Sequence, residues 1–248
     1  ILKKVGDNFT IIPSNFVNLK EELEKRGIFK VDGIMFDLGV SSPQLDDAAR
    51  GFSFHLDADL DMRMDRKSSL SAYEVVNEYS FNDLYRIIRD YGEEKYAKQI
   101  AREIEKVRST RKIKTTLELA EVISNCVPAK YKRLTHPARR TFQAIRIEVN
   151  KELSILPKAL NDAIDMLKKD GVIAVITFHS LEDRICKEVF KERSKENEIF
   201  KGMPNVPEEY IPDIKVLKKI KPSKEELEEK YDSDVMLCKC DVSNEIDI

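Results

Sequence analysis

A chain of 248 residues with 42% hydrophobic side chains has enough apolar matter for a sizeable core, which excludes a wholly disordered polypeptide. No stretch nears the ~18 consecutive apolar residues of a membrane helix, and no secretory leader pattern opens the chain. The four cysteines are too few and too irregularly spaced for a disulfide scaffold, so a soluble, cytoplasmic protein without a metal site is expected. The net charge of −2 conceals an asymmetry: Arg86 to Arg146 holds 16 Lys/Arg against 7 Asp/Glu, +9, which leaves −11 elsewhere. That middle region reads as a nucleic-acid surface or, equally, as a solvated helical face.

Phe9 to Ile12 and Val31 to Phe36 read as short strands, with a helix over Leu19 to Lys25 between them, a βαβ unit that implies a parallel sheet. The second strand ends on Asp37 and passes into Leu-Gly-Val-Ser-Ser-Pro-Gln. In open parallel sheets ligands collect beyond the carboxyl ends of strands, where a carboxylate can accept hydrogen bonds from a ribose, an amine or an amide. Gly39 allows close backbone approach and Pro43 stiffens the residues after it, though Asp37 could equally cap the next segment. Leu60-Asp-Met-Arg-Met-Asp65 alternates Asp61, Arg63 and Asp65 with Met62 and Met64. In an extended segment the three charges share one side, either as an ion-pair cluster or with Arg63 as an anion or RNA contact.

From Ser71 to about Pro157 the text is helical. Tyr96, Ile100, Ile104 and Val107 form one apolar stripe, and Leu117, Ala120, Ile123 and Val127 a second. His136-Pro-Ala-Arg-Arg-Thr-Phe-Gln-Ala-Ile-Arg-Ile147 interleaves Arg139, Arg140 and Arg146 with Phe142, a composition suited to holding a phosphate and a base together, or to an Arg-faced helix. A third stripe runs from Ile145 to Leu167, with Pro157 as kink or restart and Gly171 as its stop. Val172 to Ile176 then reads as a strand covered on both faces, followed by the turn Thr177-Phe-His-Ser and a capping-box start from Ser180 to Asp183. After Gly202 a strand is expected over Ile214 to Ile220, then a helix from Ser223 and a partly mobile tail.

The economical architecture is α/β: one parallel-sheet domain, residues 1–64 and 148–248, interrupted by a helical insertion over 65–147. Neither G-x-G-x-x-G nor a P-loop is present, and no nucleophile elbow surrounds Ser180.

Five segments, DGIMFDLGVSSPQLDDAARGFSF, LDMRMD, YGEEKYAKQIAREI, HPARRTFQAIRIEVNKEL and VITFHSLEDRI, occur in an order that resembles the bacterial MraW/RsmH family. Those are S-adenosylmethionine-dependent methyltransferases that modify N4 of a cytidine in the decoding region of small-subunit ribosomal RNA. The resemblance covers most of Phe9 to Lys191 and implies a Rossmann-like (class I) methyltransferase sheet with a helical insertion that helps recognise RNA. By position it makes Asp37 and Gln44 contacts of S-adenosylmethionine, with Phe16 lining the same pocket. It makes Asp37 with Ser41, Ser42 and Pro43 the methyl-transfer locus, a divergent form of the (D/N/S)-P-P-(Y/F) motif. Arg139, Arg140 and His179 are expected as RNA or structural contacts. Implied partners are small-subunit ribosomal RNA or the assembled small subunit, with no membrane, and a homodimer is compatible with all of this. The family's first strand with its GGHS-type loop, and its basic C-terminal stretch, have no counterpart here. A shortened chain that binds the cofactor weakly is therefore expected, and the rival readings are an RNA-binding module without catalysis and a small-molecule methyltransferase.

Overall fold

The computed structural model describes residues 8–133, 136–196, 199–200, 203–207, 210–220 and 236–242. By contacts the chain divides into a sheet unit, Ile1–Leu38 with Leu153–Ile248, and a helical unit, Gly39–Glu152.

In the sheet unit the apolar run before Asp37 forms β1 (Val31–Asp37), parallel to β2 (Leu167–Thr177), with Phe36 opposite Val175 and Asp37 opposite Ile176. The register breaks between Val31 and Gly33, where β2 accommodates extra residues around Asp170, whose φ is 64°. Two further strands, β3 (Lys215–Ile220) and β4 (Met236–Val242), complete the sheet in the order β1-β2-β4-β3. Because β4 runs antiparallel to both neighbours, the sheet is mixed rather than purely parallel. A strand thus stands where the sequence suggested a mobile tail; the helix expected from Ser223 lies outside the described residues. Phe9 to Ile12 forms no strand: it pairs with no strand among the described residues, and Ile12 O accepts only a local bond, from Ser14 N–H at 2.9 Å.

Three helices accompany this sheet: α1 (Leu19–Glu24), α9 (Glu152–Met166) and α10 (Ser180–Arg193). Leu156, Leu160 and Ile164 of α9 pack with Phe36, Ile173 and Val175 of the strands and with Cys186, Val189 and Phe190 of α10. Each such large side chain contributes about 1.5–3 kcal/mol by leaving water. The long apolar stripe is interrupted at Lys151, with φ 55°, and Pro157 lies inside α9 rather than at its start. The α10 cap also falls one residue earlier than expected. His179 is the N-cap, its Nδ1 accepting from the Glu182 N–H at 3.4 Å, while Glu182 Oε2 accepts from the Phe178 N–H at 2.9 Å.

The helical unit contains α2 (Ser42–Asp46), α3 (Ala72–Glu78), α4 (Phe81–Asp90), α5 (Ala97–Arg108), α6 (Thr116–Cys126), α7 (Ala129–Lys132) and α8 (Arg139–Asn150). Its helices start on sharp local signals. Ser71 with Glu74 and Thr115 with Glu118 form capping boxes, and Ser80 accepts from the Asp83 N–H. Such caps are worth ~1 kcal/mol each. Ile100 and Ile104 are fully buried and Val107 and Tyr96 half-buried, so the α5 stripe faces the core as expected. In the α6 stripe Ala120, Ile123 and Val127 are buried as expected, Leu119 and Val122 join them, and only Leu117 is exposed.

The insertion expected over 65–147 is a unit that begins at Gly39 and ends at Glu152. Backbone bonding explains the earlier start: Leu60 N–H donates to Lys114 O and Thr116 N–H to Ala58 O. Asn150 of α8 donates to Met62 O at 2.8 Å and accepts from Met64 N–H at 2.7 Å.

Candidate functional site

At the carboxyl end of β1 the chain alternates faces. Phe36 is buried in the sheet-unit core, whereas Asp37 and Met35 are exposed on the other side. The Leu38 N–H continues the ladder to Ile176 O at 3.2 Å, so the Asp37 backbone is held while its carboxylate remains in water. Asn15 Oδ1 accepts from Val17 N–H at 3.0 Å and so opens the short turn Phe16–Asn18. The Phe16 ring then meets Phe36 edge-on at 5.9 Å. Phe16 therefore reaches β1 from the face of Phe36, and the Asp37 side chain leaves from the opposite face. These two of the three predicted cofactor contacts share a strand end rather than a strand face.

Within the helical unit, Gly39 adopts φ 85°, a conformation that disfavours any residue with a Cβ. The segment then turns into α2 with Pro43 in its first turn. Gln44 Oε1 accepts from the Ser41 N–H at 2.9 Å and from its Oγ at 3.1 Å, so both predicted site residues cap this helix. The Gln44 amide nitrogen makes no hydrogen bond among the described residues, and Ser41 and Pro43 are exposed. Ser42 is the first residue of α2.

The charged alternation at 61–65 takes the ion-pair form. Met62 has φ 57° and is fully buried, so the segment turns instead of extending. Arg63 donates to both oxygens of Asp61, at 2.7 and 2.9 Å, and to the carbonyls of Arg66 and Ser68 at 3.2 and 2.7 Å. The Arg63 hydrogen bonds hold the Asp61 carboxyl below its ordinary range. A guanidinium so occupied ties the loop together, which is the ion-pair alternative of the two read from the sequence. His179 has a structural role, one of the two alternatives expected for it: its side chain is 8% exposed and caps α10, with Nε2 lying 3.3 Å from Glu182 Oε1. That approach is out of line for a hydrogen bond. Arg146 is held bidentately by Glu152, both contacts 2.9 Å. Arg140 is exposed at the start of α8 and donates to Glu93 O; Arg139 beside it is half-buried.

A sequence profile described as the MraW methylase family matches residues 1–236. The chain belongs to the MraW methylase family. A relative from Exiguobacterium sibiricum, named ribosomal RNA small subunit methyltransferase H, is 59% identical over 210 residues, 84% of this chain and 67% of that protein. Family membership makes the chain a methyltransferase of α/β class I type, and none of its described helices is long and apolar enough to cross a membrane. An MraW methylase needs hydrogen-bond acceptors and an apolar surface for its methyl donor. The exposed Asp37 carboxylate and the partly exposed Phe16 ring fit that need by chemistry. Sequence reasoning missed Asn15, Asn150 and the Gln44 cap, although an Asn ahead of a turn and a Gln three residues after Ser41 are readable signals.

Proposed function

We propose that this chain transfers a methyl group from S-adenosylmethionine to N4 of a cytidine in the decoding region of small-subunit ribosomal RNA. The observation that carries the reading is the placement of Asp37, an exposed carboxylate ending a strand that pairs in parallel, followed directly by the left-handed Gly39 and the Pro43 turn. The relative's name supplies the substrate class. Within the sheet unit the cofactor would be held by Asp37 and the Phe16 ring, and when bound it supplies an electrophilic sulfonium methyl; Gln44 is kept as a contact on the resemblance of its segment alone.

The residues of the chain provide orientation. The lone pair of the cytosine amine is delocalised into the ring, so an acceptor that holds an amino hydrogen turns that nitrogen toward the donor. Asp37 is suited to this, with the Ser41, Ser42 and Pro43 turn fixing the position of the base. The nitrogen becomes cationic as its new N–C bond forms, and its extra proton then passes to solvent, so no strong base is required. Arg139 and Arg140 are retained as RNA contacts.

The test is to incubate the chain with labelled S-adenosylmethionine and undermodified small-subunit RNA or subunits, then to map the label. Label on cytosine N4 is expected, with Asp37→Asn lowering kcat on the order of 10²-fold while RNA retention is kept. Retention without label would favour an RNA-binding module instead.

A further inference from the structure

Two loops remote in sequence bring four aromatic rings together in the helical unit. The Phe54 and His136 rings stack, with centroids 4.4 Å apart and planes 18° from parallel. His55 leans on both, 4.5 Å from Phe54 and 5.2 Å from His136. Phe142 of α8, almost fully buried, supports Phe54 edge-on at 5.6 Å. Phe54 is half-buried and both imidazoles are exposed. The cluster therefore has a buried floor and an open top, whereas aromatic rings used only for packing place their faces inside.

The orientation of His136 is fixed from below, because its Nδ1 accepts from the Ala138 N–H at 3.3 Å. This leaves Nε2 as the proton-bearing edge of the neutral ring, which makes no hydrogen bond among the described residues. Cations lie close to His136 in the chain. Lys130, Lys132 and Arg133 precede it and Arg140 comes after it, all exposed, within the stretch that carries +9. Open aromatic faces in a cation-rich unit match a single-stranded polyanion that carries flat bases, and a purely acidic peptide would not use the rings.

We propose that Phe54, His55 and His136 form a stacking platform for an unpaired nucleobase of single-stranded RNA. The proposal rests on the RNA reading above and deepens it. Desolvation, and secondarily the neighbouring His55, hold His136 below the ordinary imidazole range, so at neutral pH it stacks as an uncharged ring.

The experiment measures equilibrium binding of the full chain to a dye-labelled oligouridylate, and to a sugar-phosphate oligomer of equal length without bases. The label sits on the oligomer because the chain has no tryptophan. The double variant His55→Ala/His136→Ala is expected to weaken oligouridylate binding about 5- to 50-fold and to leave the abasic oligomer unaffected. His136→Phe, which keeps a flat ring, should stay within about twofold of the parent. If the double variant fails to melt cooperatively, His55→Ala alone, at the exposed top of the cluster, carries the same comparison. Equal losses on both oligomers, or no loss on oligouridylate, would overturn the platform. Neither oligomer requires methyl transfer, so absence of N4 label would leave this result standing. Intact N4 labelling with unchanged oligouridylate affinity would sink the platform alone.

Discussion

The helical unit and the sheet unit treat their apolar residues differently. Of the thirteen exposed large hydrophobics among the described residues, eleven belong to the sheet unit and only Leu56 and Leu117 to the helical one. The helical unit is one uninterrupted stretch in which α3, α4 and α6 carry their own side-chain caps and Leu84, Ile87, Ile88, Ile100, Ile104, Leu119 and Ile123 are buried against one another. The sheet unit is assembled from two distant pieces, with β1 at the sheet edge and Met35 in water. A helical unit that completes its own core can hold polar and aromatic groups rigidly at its surface. A sheet that leaves apolar surface open offers places for other groups to sit.

The comparison breaks most visibly by excision. Residues 39–152 produced alone should give a helical far-UV spectrum and a single cooperative melt; a broad, featureless transition would show that the unit depends on the rest of the chain. A smaller and sharper probe is Asn77, 5% exposed. It donates to Ile113 O at 2.8 Å and to Tyr73 O at 3.0 Å, and accepts from Ile113 N–H at 3.0 Å. Asn77→Ala strands buried peptide groups and should cost about 2–3 kcal/mol by denaturant unfolding. An exposed pair in the sheet unit, Lys25 with Glu21 and Glu22, should barely respond to Lys25→Ala by the same assay.

The smallest effect is the pH response of the helical unit. His136 titrates below its unfolded value of about 6.5, so the unfolded chain binds the proton more readily between the two values. The His136 contribution is therefore full above pH ~6.5, falls as the pH drops through that window, and stays constant below the folded value. The melting midpoint should decline by less than Asn77→Ala produces, and His136→Phe should flatten the decline. A midpoint that rises on acidification would reverse the assigned direction.

Much of the fold was legible because it is written locally. The β1 and β2 apolar runs, the α5 stripe and the helical middle come from side-chain periodicity over neighbouring turns, and Asp37 at a strand end comes from the same pattern. Errors arose where distant partners decide. Leu117 and Leu119 are both apolar, and only packing against the rest of the core chose which of them is buried. Whether Arg63 reaches outward or folds onto Asp61 depended on the left-handed backbone at Met62. His179 rather than Ser180 became the cap because the backbone at His179 is extended, with φ −145° and ψ 161°.

The order of residues by itself determined the helical middle, the β1 and β2 runs, where the cations concentrate and which carboxylate closes β1, since these depend on interactions within a few residues. Tertiary structure decided that β4 inserts between β2 and β3, and that Phe54 and His55 meet His136. Such pairings are set by which surfaces exclude water together after the chain has closed long loops, and no local spacing encodes that choice.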